Sequence, residues 1–214
     1  MKAFKYYFLF VSIVFINACG HKIDTEVPLI TSQTSNIHVD GLFDEPEWSQ
    51  ATVHHLSDTL DLLLFHNATD VFIGIKSLSE FQKTSTDLYL KNEKLDPINM
   101  HASMQLGERQ FVQNSWDAMV NPYQWGNNEL WTSNIFHIDS ALREDRSVPM
   151  LKKLLYSEGQ EFVISKDKLS GNSFDFALKV NAIGLDNQAK PIQFPQKAIV
   201  DDLSTWLNFQ LVVQ

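Results

Sequence analysis

A strand-length alternation of apolar and other residues returns along the chain, broken each time by turn residues, and it leaves little room for anything but β-structure. In residues 71–77 (VFIGIKS), Val71, Ile73 and Ile75 alternate with Phe72, Gly74 and Lys76, the period of two that puts one face of a strand in a core. Residues 60–66 (LDLLLFH) precede it, and Asn67-Ala68-Thr69-Asp70 between them supplies turn chemistry, which predicts a hairpin. Further β-rich segments follow at 87–90, 101–106, 130–138, 161–165, 173–180 (SFDFALKV) and 206–213 (WLNFQLVV). Helical pattern is sparse. Residues 44–51 (DEPEWSQA) suit one or two turns capped by Asp44 with Pro46 in the first turn, and residues 147–156 suit a second short helix ending at Gly159. Many short strands and little helix predict an all-β domain, a two-sheet antiparallel β-sandwich with one or two short helices.

Such a domain has no disulfide to rely on, because Cys19 is the single cysteine. Its setting suggests another use. Lys2 and Lys5 precede an apolar run of nine, residues 8–16 (FLFVSIVFI), which has the form of a secretory signal and is too short to span a bilayer. The run ends in Ile16-Asn17-Ala18-Cys19, which resembles the lipobox of bacterial lipoproteins, with Asn17 larger than the usual residue there. That resemblance implies cleavage after residue 18 and lipid on Cys19. The expected organisation is a signal peptide over 1–18, a lipid-anchored flexible tether over 19–36 and the folded domain over 37–214. Gly20 lacks the Asp associated with inner-membrane retention, so the expectation is the outer membrane, with either face open.

The chain carries 17 basic and 26 acidic residues, and loss of the leader removes Lys2 and Lys5 from the basic side. With no Lys/Arg cluster to neutralise a run of phosphates, nucleic acid is excluded as a partner, and membrane attachment falls to the lipid on Cys19.

Residues 37–51 (IHVDGLFDEPEWSQA) are the most specific stretch of the domain: an apolar residue, Asp40-Gly41, a spacer, Asp44-Glu45, a spacer, Trp48, then a small residue. This opening resembles that of the family 9 carbohydrate-binding modules. Residues 60–77 and 161–180 are similar to paired strands of those domains. The resemblance implies a sandwich that binds carbohydrate without catalysis. In physical terms Asp40-Gly41 reads as a turn, Asp44 as a helix start, and Trp48 as a ring packed into the core. Calcium on Asp40, Asp44 and Glu45 is an alternative reading of the same carboxylates, and no other cofactor is implied.

Sugars offer C–H faces to aromatic rings and hydroxyls to amides and carboxylates. One irregular stretch has that composition, holding Trp116, Tyr123, Trp125, Asn127, Asn128 and Trp131, with three of the five tryptophans inside sixteen residues. Tyr123 and Trp125 are the candidates for exposed rings, Asn127 and Asn128 for hydroxyl partners, while Trp116 and Trp131 suit either a site or the interior.

Seven histidines are scattered without HExxH or zinc spacing, and His54 and His55 fall on opposite faces of a strand. Nucleophile elbow, P-loop and dinucleotide patterns are absent. Glu108 beside Arg109 is a candidate functional acid or a plain ion pair, and no carboxylate pair stands out for glycoside hydrolysis. The expectation is therefore glycan binding by an envelope lipoprotein supporting polysaccharide capture. The alternatives are a scaffold or accessory subunit holding a protein partner, and a domain associated with glycoside hydrolase activity.

Overall fold

The alternating segments form the expected hairpin. In a computed structural model, β3 (Leu60–His66) and β4 (Asp70–Ser77) pair antiparallel from Leu60↔Ser77 to His66↔Val71. Their turn is held by Asn67, whose Oδ1 accepts the backbone N–H groups of Thr69 at 2.9 Å and Asp70 at 2.7 Å. The structure describes residues 27–31, 37–78, 83–103, 105–117, 130–134, 147, 157–183 and 191–211.

The hairpin is the centre of one sheet. β2 (Thr52–Ser57) flanks β3, with a bulge between His55 and Ser57, while β4 pairs with β10 (Gly159–Ser165) and β10 with β9 (Trp131–Ser133). The opposing sheet runs β7 (Leu106–Val112), β6 (Ile98–Ala102), β5 (Lys83–Lys91), β11 (Ser173–Ile183), β13 (Leu207–Leu211), all antiparallel. β8 (Ser115–Trp116) joins the edge of β7, and β12 (Ile192–Phe194) lies on β11 beyond β13. Gln113 and Asn114 both take positive φ between β7 and β8, the backbone a two-residue hairpin loop needs. The architecture is the all-β two-sheet sandwich that the sequence pattern predicts.

Every second side chain of both sheets meets in the middle. Leu62, Leu64, Ile73 and Phe162 from one sheet face Leu88, Phe176, Leu178 and Phe209 from the other, all essentially without exposure. At about 1.5–3 kcal/mol per buried large apolar side chain, this layer is the main source of stability.

A second apolar layer lies on the outside of the hairpin sheet. Residues 37–51 cross it, and Phe43 and Trp48 pack on Leu63, Phe65 and Phe72. Trp48 meets Phe65 edge-on at 5.0 Å and lies over Gly74, where a Cβ would stand 2.9 Å from the indole. Trp48 is thus a packing residue, as expected, but against the outer face of a sheet rather than at an edge of the core.

Several sequence expectations are corrected. Residues 44–51 form a 3-10 turn, Pro46–Gln50, preceded by Glu45 with no side-chain cap, so Asp44 does not cap it. The segment expected at 101–106 is divided: Ile98–Ala102 and Leu106–Val112 are separate strands, because Ser103 and Gln105 close a turn through a 2.9 Å backbone bond. Within the stretch read as tether, Val27–Thr31 (β1) is a strand, parallel to both β13 and β3, and so links the two sheets. Thr52–Ser57 and Ile192–Phe194 are strands that the pattern did not reveal, and Lys166–Leu169 forms a single helical turn, α1, capped by Ser165. The signal peptide, Cys19 and the helix expected at 147–156 lie outside the described residues, Ser147 excepted. Among the described residues no helix is long and apolar enough to cross a membrane.

Candidate functional site

Alternation that buries one face of the β7–β13 sheet turns the other face outward, and cross-strand register sorts its side chains into rows. One row runs Gly107, His101, Asp87, Lys179, Gln193; the next runs Arg109, Asn99, Tyr89, Ala177. The rows are joined by hydrogen bonds. His101 Nδ1 lies 2.9 Å from Asp87 Oδ1, its Nε2 lies 3.0 Å from Ser103 Oγ, and Arg109 Nε donates to Asn99 Oδ1 at 2.8 Å. Asn99 Nδ2 donates to the Leu88 carbonyl at 3.1 Å, which fixes the amide's orientation. Burial, with Asp87 adding to it and Arg109 opposing it, pushes the Tyr89 phenol up to about 12, so it remains a neutral hydroxyl.

Trp116 stands over this face. Its ring lies 5.4 Å from Tyr89 and 5.0 Å from Phe111, the Arg109 guanidinium sits 5.2 Å over it, and its indole N–H donates to Asp201 at 2.9 Å. Trp206, Ala198 and Leu203, from the segment between β12 and β13, cover the adjacent part of Tyr89 and Ala177. The result is a partly exposed indole with a guanidinium, carboxylates and an imidazole around it, underlain by the buried Tyr89 and Asn99. That set can stack on an apolar ring face and bond to hydroxyls, and it includes a hydrogen-bonded row of Ser103 hydroxyl, His101 imidazole and Asp87 carboxylate.

Of the residues singled out from the sequence, Trp116 is the one the structure brings into this patch. Trp131 goes inward: it is 3% exposed, stacks on Phe162 and donates its indole N–H to Glu108 at 2.7 Å. Tyr123, Trp125, Asn127 and Asn128 lie outside the described residues. Glu108 also pairs with Lys168 at 3.1 Å, the ion-pair reading of that acid, with a partner other than Arg109. His54 and His55 do point apart: His54 packs on Phe194 and Phe209, while His55 is exposed beside Asp61. The patch residues Asp87, Asn99, His101 and Tyr89 were missed, and their only sequence signal is their place between buried neighbours on β5 and β6.

Asp40 and Glu45, weighed for calcium, act locally as acceptors: Asp40 Oδ1 takes the Leu42 N–H at 3.0 Å, and Glu45 Oε1 takes the His38 N–H at 2.7 Å. Among the described residues no group of three or more His, Cys, Asp or Glu is placed to hold a metal ion. A carboxylate that sequence reading overlooked organises this segment instead. Glu161 on β10 has no exposed surface, and its Oε2 accepts the N–H groups of Asp40 at 2.9 Å and Gly41 at 2.6 Å. Its Oε1 accepts Trp48 Nε1–H at 2.8 Å. Burial outweighs these donors and raises its pKa to about 7.

No protein-family model matches the sequence, and no curated protein matches it. Solved structures do share the fold. A family 9 carbohydrate-binding module from Caldicellulosiruptor kristjanssonii, solved with glucose, superposes at a TM-score of 0.50 and 12% identity, over 88% of this chain and 97% of that one. A Bacteroides uniformis protein described as a candidate carbohydrate-binding protein superposes at 0.52 and 8% identity, over 88% and 99%. The domain therefore has the fold of the family 9 carbohydrate-binding modules.

Proposed function

We propose that this chain is a non-catalytic carbohydrate-binding lipoprotein of a bacterial envelope, which captures glycan at the membrane to which lipid on Cys19 holds it. The observation that carries the reading is Trp116 with Arg109, Asp201 and the His101–Asp87 pair on one face of the domain, Arg109 being held from below by buried Asn99. A partly exposed ring takes the C–H face of a sugar, and the guanidinium and carboxylate groups beside it, held in place by their own hydrogen bonds, take its hydroxyls. Two further observations support it. The fold is one on which a neighbour from Caldicellulosiruptor kristjanssonii holds glucose, and Glu108 and Glu161 are both engaged by tryptophan N–H groups, which suits them to holding structure rather than to hydrolysis.

A glycan array followed by calorimetry on residues 20–214 tests the proposal. Saturable binding that Trp116→Ala weakens is the expected result. Binding to no plant, algal or host glycan would overturn it.

A further inference from the structure

Trp116 has little backbone of its own to hold its ring in place. It is the second residue of a two-residue strand at the sheet edge, it pairs there with Phe111, and its side chain is half-buried. An unrestrained indole in such a position turns about two side-chain torsions, and stopping that motion on binding costs about twofold to tenfold in affinity.

Two groups from different elements restrain the ring beforehand. The Arg109 guanidinium on β7 sits 5.2 Å over it and is itself fixed by the Asn99 amide. A cation over a ring is attracted to the whole face, so this contact leaves the ring free to turn in its own plane. The indole N–H supplies the missing direction, because an N–H···O bond weakens steeply as it bends. Its acceptor is Asp201 Oδ1 at 2.9 Å, 85 positions away in the chain.

Asp201 is exposed, yet the loop that presents it between β12 and β13 is tied down on both sides. Val200 and Leu203 pack on the cluster that contains Tyr89 and Trp206. The Ile199 N–H donates to Thr205 Oγ1 at 2.8 Å, and that hydroxyl donates to the Asp202 carbonyl at 2.7 Å. Asp202 Oδ1 caps the 3-10 turn Leu203–Thr205 through the Ser204 N–H at 3.1 Å. The Asp201 carboxylate therefore projects from a fixed backbone, and among the described residues its side chain makes no ion pair and no hydrogen bond other than that to Trp116.

We infer that Asp201 is a positioning residue of the candidate site, acting through the Trp116 indole to hold the ring in the pose that a sugar face meets. This rests on the carbohydrate-binding reading of Trp116.

Two substitutions test it, because Asp201→Asn keeps an oxygen acceptor in place and Asp201→Ala removes it. In NMR spectra of the free protein, the Trp116 Nε1–H signal, identified by its loss in Trp116→Phe, should exchange with water about tenfold faster in Asp201→Ala and at the wild-type rate in Asp201→Asn. In calorimetry with a β-1,4-linked glucose tetramer, Asp201→Ala should lose about fivefold in affinity and Asp201→Asn should stay within about twofold of wild type. An indole signal unchanged in Asp201→Ala, or full affinity in that variant, would overturn the positioning role and leave the proposed function standing. If Asp201→Asn restored the indole signal but bound as weakly as Asp201→Ala, the role would be overturned in favour of direct contact between the carboxylate and the sugar. Failure of the wild type to bind the tetramer would overturn the inference for gluco-chains, while the array decides the function itself.

Discussion

Trp48 Nε1–H donates to Glu161 Oε1 at 2.8 Å, joining two residues 113 positions apart in a buried hydrogen bond. The other oxygen of the same carboxylate receives the Asp40 and Gly41 N–H groups, so one side chain of β10 fixes the whole 37–51 segment to the sheet. Glu161→Ala leaves three donors without their acceptor, and chemical denaturation should register a loss of about 3–5 kcal/mol. Trp48→Phe keeps most of the ring packing and removes one donor, so about 1–2 kcal/mol is expected. A Glu161→Ala domain as stable as wild type would show that the carboxylate is not what holds the segment.

The same group makes stability depend on pH. Its folded-state pKa is raised from 4.5 to about 7, so the native state holds the proton more tightly than the unfolded chain does. The resulting stabilisation is complete below about pH 4.5 and is lost as pH rises through about 7, at most roughly 3 kcal/mol in size. Urea unfolding between pH 4.5 and 8 should show this decline, and Glu161→Gln should flatten it. Stability rising across that window by the same amount in both proteins would exclude Glu161 as the source.

Gly74 lies beneath the ring of Trp48, and a Cβ there would stand 2.5 Å from Phe43 Cε1 and 2.9 Å from Trp48 Cζ3. Gly74→Ala should therefore push both rings off the sheet and cost about 1–3 kcal/mol, even though alanine suits a strand better. Thermal unfolding measures it, and an unchanged or raised Tm would show that the outer aromatic layer yields freely.

Trp116 is half-buried and makes its contacts at the edge of the domain. Trp116→Ala should weaken glycan binding about tenfold, the scale of one aromatic stacking contact, while lowering stability by about 1–2 kcal/mol. Calorimetry beside a denaturation curve separates the two, and full affinity in the variant would remove Trp116 from the site.

Palmitate should label the wild-type chain in bacterial cells and fail to label Cys19→Ala. Equal labelling would remove the lipid anchor from the proposed function.

The fold was legible where pattern alone decides it. The 60–77 hairpin, the strands ending at Ser165 and beginning at Ser173, and the burial of Trp48, though not the sheet face it packs on, follow from alternation, turn residues and the bulk of an indole. The site was less legible. Trp116 was within reach because tryptophans in an amide-rich stretch draw notice, but Asp87, Asn99 and His101 look like the ordinary polar positions of a half-buried strand. β12 is three residues long and β2 carries a bulge, so neither has enough alternation to be seen.

The class of fold is written in local pattern, because side-chain periodicity is a property that each strand carries with it. Which polar residues meet is settled by tertiary packing. The rows across β7, β6, β5, β11 and β12, and the bond from Trp48 to Glu161, depend on the register between segments far apart in the chain. Register is set by how the two sheets and the 37–51 segment bury their apolar faces together, and no single stretch of residues contains that information.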